Sequence, residues 1–222
     1  MCVQDLYSEF SVRTIVTMGV SGCGKPTIGR HLAELLGSAP FISTDTLHPA
    51  QNIKMMKNGQ PLSDRNRWPW LKRVHDEIEK ASTSLLEGQD LSLRGARSSG
   101  STGTGGNAIQ RLYAVCACSA LKRSYRVLLS RGDPEDACAD RLTHDTVFVY
   151  VDVPKAKLAR RLQLRKNHFF FNGALLDSQL ETLDTPDVTR EAALTAYSDS
   201  FEPRVAHDVY RQVCGYVTKN SL

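Results

Sequence analysis

The chain has 222 residues, 41% of them apolar, and a formal net charge of +4 at pH 7. This size and composition predict one α/β domain with a full core. The Lys and Arg residues are scattered, which favours small anionic ligands and argues against a nucleic-acid partner. No apolar stretch is long enough to span a membrane, and the spacing of the six cysteines fits no zinc pattern. Since we find no signal peptide, we interpret the cysteines as reduced thiols and expect a cytoplasmic protein without a membrane partner.

The first predicted strand and helix flank a glycine-rich loop. Residues 1–12 are interpreted as a short extension, residues 13–18 as a strand, and residues 27–36 have helical spacing. Between strand and helix the chain reads Gly-Val-Ser-Gly-Cys-Gly-Lys at positions 19–25, the pattern of a phosphate-binding loop. Small residues let consecutive N–H groups surround phosphate oxygens, while the lysine and the helix N-terminus add positive charge. The alternative, a glycine-rich turn without a ligand, is disfavoured by the strand–loop–helix setting.

The loop predicts an ATP site with an altered metal position. We expect Lys25 to contribute charge to catalysis and Pro26 to occupy the position where a Ser or Thr usually coordinates Mg²⁺. Thr27 lies about 100° further round the helix. We therefore expect Mg²⁺ to be held mainly by ATP and water, with Thr27 as the candidate protein ligand. The expected ATP contacts are Gly19, Val20, Ser21, Gly22, Cys23, Gly24, Lys25 and Thr27.

Cys23 has two interpretations at this stage. It lies at a helix N-terminus beside Lys25, where the helix dipole and the ammonium charge favour a reactive thiolate. Alternatively, it is a small residue that stands in for serine. The sequence favours neither interpretation over the other.

Downstream of the loop, predicted strands alternate with predicted helices. A composition rich in Ser, Gly, Thr and Arg at residues 92–107 predicts a flexible surface insertion within a single domain spanning 1–222. The alternation itself predicts a parallel sheet covered by helices on both faces. The predicted strands are 40–42, 112–118, 147–151 and 193–197, and the predicted helices are 49–57, 70–86, 154–164 and 202–217.

Five blocks of the chain, in this order, resemble the gluconate kinase (gluconokinase) family of small P-loop kinases. The resemblance covers about residues 17–186 without the insertion. The blocks are Met18 to Lys25; Leu47-His48-Pro49 with Asn52, Lys54 and Met55; Gly59 to Asp64 with Arg67 to Leu71; Cys118 to Arg126; and Arg161-Leu162, Arg165, His168-Phe169, Leu175-Leu176, Ser178-Gln179 and Thr182-Leu183.

The resemblance implies both a fold and a reaction. The implied fold is a P-loop NTPase three-layer sandwich with a parallel sheet, similar to nucleoside monophosphate kinases and shikimate kinase, with a mobile lid at about residues 161–185. The implied reaction is the ATP-dependent and Mg²⁺-dependent phosphorylation of D-gluconate to 6-phospho-D-gluconate. Family members are often dimers, so a homodimer is also expected.

The resemblance further implies roles for single residues. Asp45 would position the accepting hydroxyl, and His48 would hydrogen-bond the polyol; their alternatives are a helix N-cap and a buried structural histidine. The basic side chains of Arg67, Lys122, Arg126 and Lys54 would hold the gluconate carboxylate and hydroxyls. For each of them, the alternative is a solvated surface residue. The implied catalytic residues are Lys25, Asp45, Arg161 and Arg165, and the implied substrate-binding residues are Asp45, His48, Arg67, Lys122, Arg126 and His168.

The chain departs from the family pattern at three positions. Pro26 replaces a hydroxyl, while Ser43 and Asn66 stand where the family usually has aspartates. Such changes weaken a site for a hard cation, which prefers carboxylate and hydroxyl oxygens. Two rival functions therefore stay open: a kinase of another small polyol or sugar acid, and a catalytically impaired nucleotide-binding homologue.

Overall fold

Five parallel strands form one sheet at the centre of the molecule. The computed structural model describes residues 10–97, 110–132, 145–164, 173–198 and 202–219. The spatial order of the strands is β2-β3-β1-β4-β5, and every pair is parallel. Their bounds are β1 Phe10–Met18, β2 Phe41–Ser43, β3 Gln110–Ala117, β4 Asp145–Asp152 and β5 Ala193–Tyr197.

Helices flank this sheet in two groups. α1 packs against α7 and against β1 and β3, while α3 packs against α4 and against the same two strands. A three-layer sandwich results, which confirms the predicted fold class. The helices are α1 Lys25–Leu35, α2 Ala50–Lys57, α3 Asp64–Arg97, α4 Arg123–Arg131, α5 Lys155–Leu164, α6 Gly173–Thr182 and α7 Glu202–Lys219, with a short 3-10 helix at Thr44–Leu47.

The central strand β1 is buried on both faces. Ile15 and Val16 are neighbours whose side chains point to opposite faces of the sheet, and both are fully buried. Such continuous burial is typical of a parallel strand covered by helices on each side. The core therefore fixes the carboxyl end of β1, which is where the phosphate-binding loop begins.

Two predicted boundaries were wrong. α3 begins at Asp64, passes through Pro69 and ends at Arg97, so residues 92–97 continue a helix instead of belonging to the predicted insertion 92–107. The remainder of that insertion, residues 98–107, lies outside the described residues. β1 begins at Phe10 because its pairing with β3 starts there, so the predicted extension 1–12 is too long, and residues 1–9 are not described. In both cases the helix or strand continues past the residues whose sequence pattern predicts it.

Among the helices of the described residues, none has the combination of length and apolar character that crossing a membrane would require. The single-domain organisation and the lid boundaries at about 161–185 remain predictions. α5 and α6 cover most of that lid range, with residues 165–172 outside the described part of the chain.

Candidate active site

The cavity at the carboxyl edge of the sheet collects residues from several parts of the chain, including four that carry candidate functional groups. The loop after β1 contributes Lys25, the 3-10 helix after β2 contributes Asp45, the loop after β3 contributes Ser119, and α6 contributes Gln179. Open α/β sheets bind ligands at this edge, where loops from neighbouring strands meet. The fold thus brings the phosphate-binding loop and the predicted acceptor residue into one cavity.

The loop adopts a backbone that needs its glycines. Gly19, Gly22 and Gly24 have φ angles of 137°, 85° and 101°, a region that residues with a Cβ rarely adopt. At Gly22, a Cβ would also lie 3.1 Å from Cγ of Leu162. Glycine therefore allows α5 to pack directly against the loop.

Lys25 and Cys23 lie together inside the loop. The Lys25 ammonium donates a hydrogen bond to the carbonyl oxygen of Val20 at 2.9 Å, and Nζ is 3.9 Å from Sγ of Cys23. The Cys23 side chain is fully buried in the core. This burial supports the interpretation of Cys23 as a small packing residue, because a reactive thiolate requires access to solvent.

Pro26 sits in the first turn of α1 without disturbing it. The carbonyl of Gly24 still accepts the N–H of Ile28 at 3.0 Å, as expected for a proline at a position that needs no intrahelical donor. Pro26 lines the cavity, but Thr27 is exposed and lies outside its lining. The structure therefore does not bring the predicted metal ligand Thr27 to the site, since a one-residue step turns its side chain away.

Asp45 lies on a rigid turn that faces the cavity. Its neighbour Thr44 is anchored twice: the hydroxyl donates to the carbonyl of Ala117 at 2.8 Å, and the carbonyl accepts from the indole N–H of Trp70 at 3.0 Å. The N-cap of the 3-10 helix is Ser43, and the N-cap of α2 is Pro49. Asp45 is therefore not a helix cap, and its carboxylate is left to the cavity.

His48 forms a buried wall of the same cavity. Its ring stacks on Trp70 with 4.0 Å between centroids and 13° between planes, and Nδ1 is buried without a hydrogen-bond partner among the described residues. Burial, helped by the charge of Arg67, lowers the pKa of His48 to about 4. The imidazole is therefore neutral at physiological pH.

Arg67 is a buried cation at the cavity wall. Arg67 is only 7% exposed, and its Nη1 is 3.5 Å from the hydroxyl of Tyr125. Among the described residues, no carboxylate oxygen lies within 4.0 Å of an Arg67 nitrogen, so Arg67 has no ion-pair partner there. A buried guanidinium without a carboxylate is costly, so an anionic ligand in the cavity would stabilise it.

Lys122 and Arg126, both predicted to bind substrate, do not line this cavity. Lys122 is 2.7 Å from the carboxylate of Asp64; the hydrogen bond between them raises the pKa of Lys122 and lowers that of Asp64. Arg126 is 1% exposed, and Nε and Nη2 donate to the two carboxylate oxygens of Glu191 at 2.7 and 2.8 Å. In this structure, carboxylates distant in sequence already pair with both cations, and a substrate-binding role for Lys122 or Arg126 stays a prediction.

Asn66 also has a different environment from the predicted one. Its side-chain oxygen accepts hydrogen bonds from the backbone N–H and the hydroxyl of Ser63 at 3.1 and 2.7 Å, at the start of α3. Asn66 thus stabilises a helix terminus and does not line the cavity, and the same is true of Ser43. The loss of an aspartate at these positions removes no carboxylate from the cavity lining as the structure shows it.

Only some of the residues predicted for the lid lie in the described part of the chain. On α5, Nη1 of Arg161 donates to the carbonyl of Cys23 at 3.3 Å and Nη2 is 3.4 Å from the hydroxyl of Ser198, so Arg161 contacts the loop from behind and does not line the cavity. Arg165 and His168 lie outside the described residues. Sequence reasoning assigned no role to Gln179, whose oxygen accepts the backbone N–H of Ser21 at 2.6 Å; its place in the predicted lid block was the only signal.

Comparisons with known proteins identify relatives of this chain. A scan of protein-family models returned no match. The chain is 40% identical over 177 residues to a probable gluconokinase of Xenopus tropicalis, covering 78% of each chain. It is 40% identical to the gluconokinase of Gluconobacter oxydans, covering 78% of this chain and 76% of that protein.

Solved structures show the same likeness. A gluconokinase from Sinorhizobium meliloti has a TM-score of 0.65 at 30% identity, with 97% of this chain and 99% of that chain covered. A sugar kinase from Janibacter has a TM-score of 0.69 at 27% identity, with 91% and 95% covered. An APS kinase from Mycobacterium tuberculosis, at 17% identity and a TM-score of 0.55, shares the fold. On this sequence identity, sustained over more than three quarters of its length, the chain belongs to the gluconokinase family.

Proposed function

We propose that this protein transfers the γ-phosphoryl group of ATP to D-gluconate, giving 6-phospho-D-gluconate. The observation that carries the proposal is the shared cavity: a phosphate-binding loop, a free carboxylate at Asp45 and a buried guanidinium at Arg67 line it together. An ATP kinase of a sugar acid needs these three groups, for the nucleotide, the hydroxyl and the carboxylate. The resemblance to gluconokinases supports gluconate as that acid.

On the nucleotide side, the loop amides and Lys25 bind the phosphates. Phosphoryl transfer places negative charge on the γ-phosphoryl oxygens and on the leaving oxygen, and a fixed ammonium stabilises that charge. In this proposal the Lys25 ammonium exchanges the carbonyl of Val20 for phosphate oxygens. Arg161, which holds the loop carbonyl of Cys23, keeps the loop in place, and Arg165 remains a proposed cation of the lid.

On the acceptor side, Asp45 accepts a hydrogen bond from the attacking hydroxyl and takes up its proton as the bond to phosphorus forms. Arg67 pairs with the gluconate carboxylate through parallel N–H donors. His48, which is neutral, offers a hydrogen bond to a hydroxyl without placing a second charge in the cavity. His168 remains a proposed further contact.

Mg²⁺ is proposed to enter with ATP. The described residues contain no cluster of three or more His, Cys, Asp or Glu side chains able to hold a metal ion, and Asp45 is the carboxylate of the cavity lining. This donor set would fit a hydrated Mg²⁺ that arrives with ATP, and Asp45 would be the side chain of the lining that helps to hold it. When bound, the ion would neutralise charge on the phosphates.

The test is an ADP-release assay with gluconate and with a panel of other sugar acids and polyols. We expect gluconate to give the highest kcat/KM, and Lys25→Ala to lower kcat by orders of magnitude while the protein stays folded by circular dichroism. A higher kcat/KM for another acid would support the rival acceptor. ATP binding without turnover of any acceptor would support the rival reading of a catalytically impaired homologue.

A homodimer and a cytoplasmic location remain part of the proposal. The homodimer is supported by the family resemblance alone, and the cytoplasmic location by the interpretation of the cysteines as reduced thiols. Sedimentation equilibrium would test the first, and imaging of the tagged full-length protein would test the second.

A further inference from the structure

Gln179 lines the cavity, but the reaction proposed above assigns it no role. It lies on α6, and its side-chain oxygen accepts the backbone N–H of Ser21 at 2.6 Å. Ser21 and Gln179 both line the cavity that holds Lys25 and Asp45. A contact between residues 158 positions apart thus joins the predicted lid to the phosphate-binding loop.

The hydrogen bond fixes which end of the amide is bound. Because a backbone N–H can only donate, the atom facing Ser21 must be the amide oxygen, and the nitrogen end is turned away from it. Among the described residues, no hydrogen bond accounts for the two Nε2 hydrogens, and Nε2 is not among the buried unpartnered atoms. The side chain therefore presents an oriented and uncommitted donor.

The surroundings indicate which ligand this donor meets. In the proposed function, the transferred phosphoryl group lies between the loop and the hydroxyl held by Asp45. Gln179 borders that same space from the α6 side. The ligand atoms available there to an N–H donor are the γ-phosphoryl oxygens, which gain hydrogen-bonding strength as charge develops on them.

We propose that Gln179 is a catalytic residue: Ser21 holds its amide oxygen, and its amide nitrogen donates a hydrogen bond to the γ-phosphoryl group of ATP. The proposal rests on the proposed function for the transfer step, and its nucleotide-binding part stands without the identity of the acceptor. It also gives α6 a role, since closure of this helix over the loop would complete the donor set around the transferred group.

The test uses one substitution that separates the two ends of the amide. Gln179→Glu keeps an oxygen that accepts the Ser21 N–H, but it replaces the donor with a second, negatively charged oxygen. Gln179→Ala removes both ends. Glu181→Gln, at an exposed residue of the same helix that does not line the cavity, is the matched control.

We expect the affinity of Gln179→Glu for a non-hydrolysable ATP analogue to fall about tenfold, or 1.4 kcal/mol, as measured by calorimetry without acceptor. Its affinity for ADP, which lacks the γ-phosphoryl group, should stay within a factor of about two or three of the full-length wild type. With gluconate present, kcat should fall by at least the same factor of about ten in both Gln179 variants, because the donor acts on transition-state charge. Glu181→Gln should match the wild type in all three measurements.

Two outcomes would overturn the proposal. Wild-type behaviour of Gln179→Glu, with loss only in Gln179→Ala, would make Gln179 a clamp between α6 and the loop. Tighter binding of the ATP analogue by Gln179→Ala would make it a competitor of phosphate for the Ser21 N–H. A wild-type protein that fails to phosphorylate gluconate would refute the proposed function instead, and the ATP-to-ADP affinity ratio would still decide the role of Gln179.

Discussion

At the scale of single residues, Pro26 is the position where this chain differs most from an ordinary phosphate-binding loop. The glycine conformations, Lys25 and the first turn of α1 all persist around it. What is missing is one hydroxyl and one N–H at the cavity wall. We therefore expect the phosphate-binding loop to keep its function and the protein to contribute less to binding of the proposed Mg²⁺.

Restoring the hydroxyl by Pro26→Ser should therefore lower the Mg²⁺ concentration that gives half-maximal rate. We expect kcat to rise by about tenfold, or 1.4 kcal/mol, and ATP affinity to change less, because the ion acts chiefly on transition-state charge. Rate measured against Mg²⁺ for both proteins provides the test. Superimposable curves would show that water already replaces the missing ligand, and a loss of rate in Thr27→Ala would show that Thr27 does so.

His48 should make the stability of the protein depend on pH. Its pKa is about 4 in the folded state and about 6.5 when unfolded. Between these values the unfolded chain binds a proton that the folded chain does not, so stability is lost as pH falls from 6.5 towards 4. Across this pH range the free energy of unfolding falls by about 3 kcal/mol because of His48.

The measurement is the free energy of unfolding in urea at a series of pH values. In His48→Gln, the loss between pH 6.5 and 4 should be smaller than in the wild type by about that 3 kcal/mol. His207→Gln, at an exposed position on α7, should keep the wild-type slope. An unchanged slope in His48→Gln would mean that the imidazole is accessible to protons in the folded state.

At the scale of elements, the close approach of α1 to the sheet positions the loop. Gly29 on α1 faces β2: a Cβ at this residue would lie 2.7 Å from Cε2 of Phe41 and 3.2 Å from the hydroxyl of Thr17. Any larger side chain must displace the Phe41 ring or push the helix away from the sheet. Because α1 begins at Lys25, such a shift would also move the end of the loop.

Gly29→Ala should consequently lower the free energy of unfolding by about 1–3 kcal/mol. The matched variant is Gly215→Ala on α7, where a Cβ would meet nothing within 4 Å; we expect it to be neutral or stabilising by up to about 1 kcal/mol. Urea unfolding of both variants tests the pair. Equal effects would show that helix propensity, and not contact with Phe41, decides the outcome.

At the scale of the whole molecule, Arg126 links regions that are far apart in the sequence. From α4 it binds the carboxylate of Glu191 and donates to the carbonyls of Ala120 and Asp184 at 3.3 and 2.8 Å. Glu191 lies just before β5, and the arginine holds the pKa of this carboxyl below its usual range. The edge strand is therefore tied to the loop that follows β3.

Replacing Arg126 with Met should leave the mostly buried Glu191 carboxylate without its cation, at a cost of about 3 kcal/mol. Arg123→Met, at an exposed position of the same helix, should change stability by less than about 0.5 kcal/mol. Urea unfolding measures both, and the KM for gluconate should stay near the wild-type value in any Arg126→Met protein that remains folded. A raised KM with little loss of stability would show that Arg126 binds the substrate.

The sequence by itself determined the features that depend on local pattern. Three glycines and Lys25 between a strand and a helix specify a phosphate-binding loop, because its backbone geometry is set by neighbouring residues. Alternating apolar segments predicted the parallel sheet, and the ordered blocks predicted the family. The place of Asp45 at the cavity was also predicted, since it follows β2 and so had to reach the edge of the sheet where the loop lies. His48 was predicted from the family resemblance.

Only the tertiary structure decided which polar groups remain available to a ligand. Arg67, Lys122 and Arg126 are equivalent as cations in the sequence, yet Asp64 and Glu191 neutralise the last two and leave Arg67 at the cavity. Likewise, the role proposed for Gln179 depends on its hydrogen bond with the N–H of Ser21, 158 residues away. The physical reason is that ion pairing and hydrogen bonding depend on distance in space, which the fold sets and which no spacing along the chain records.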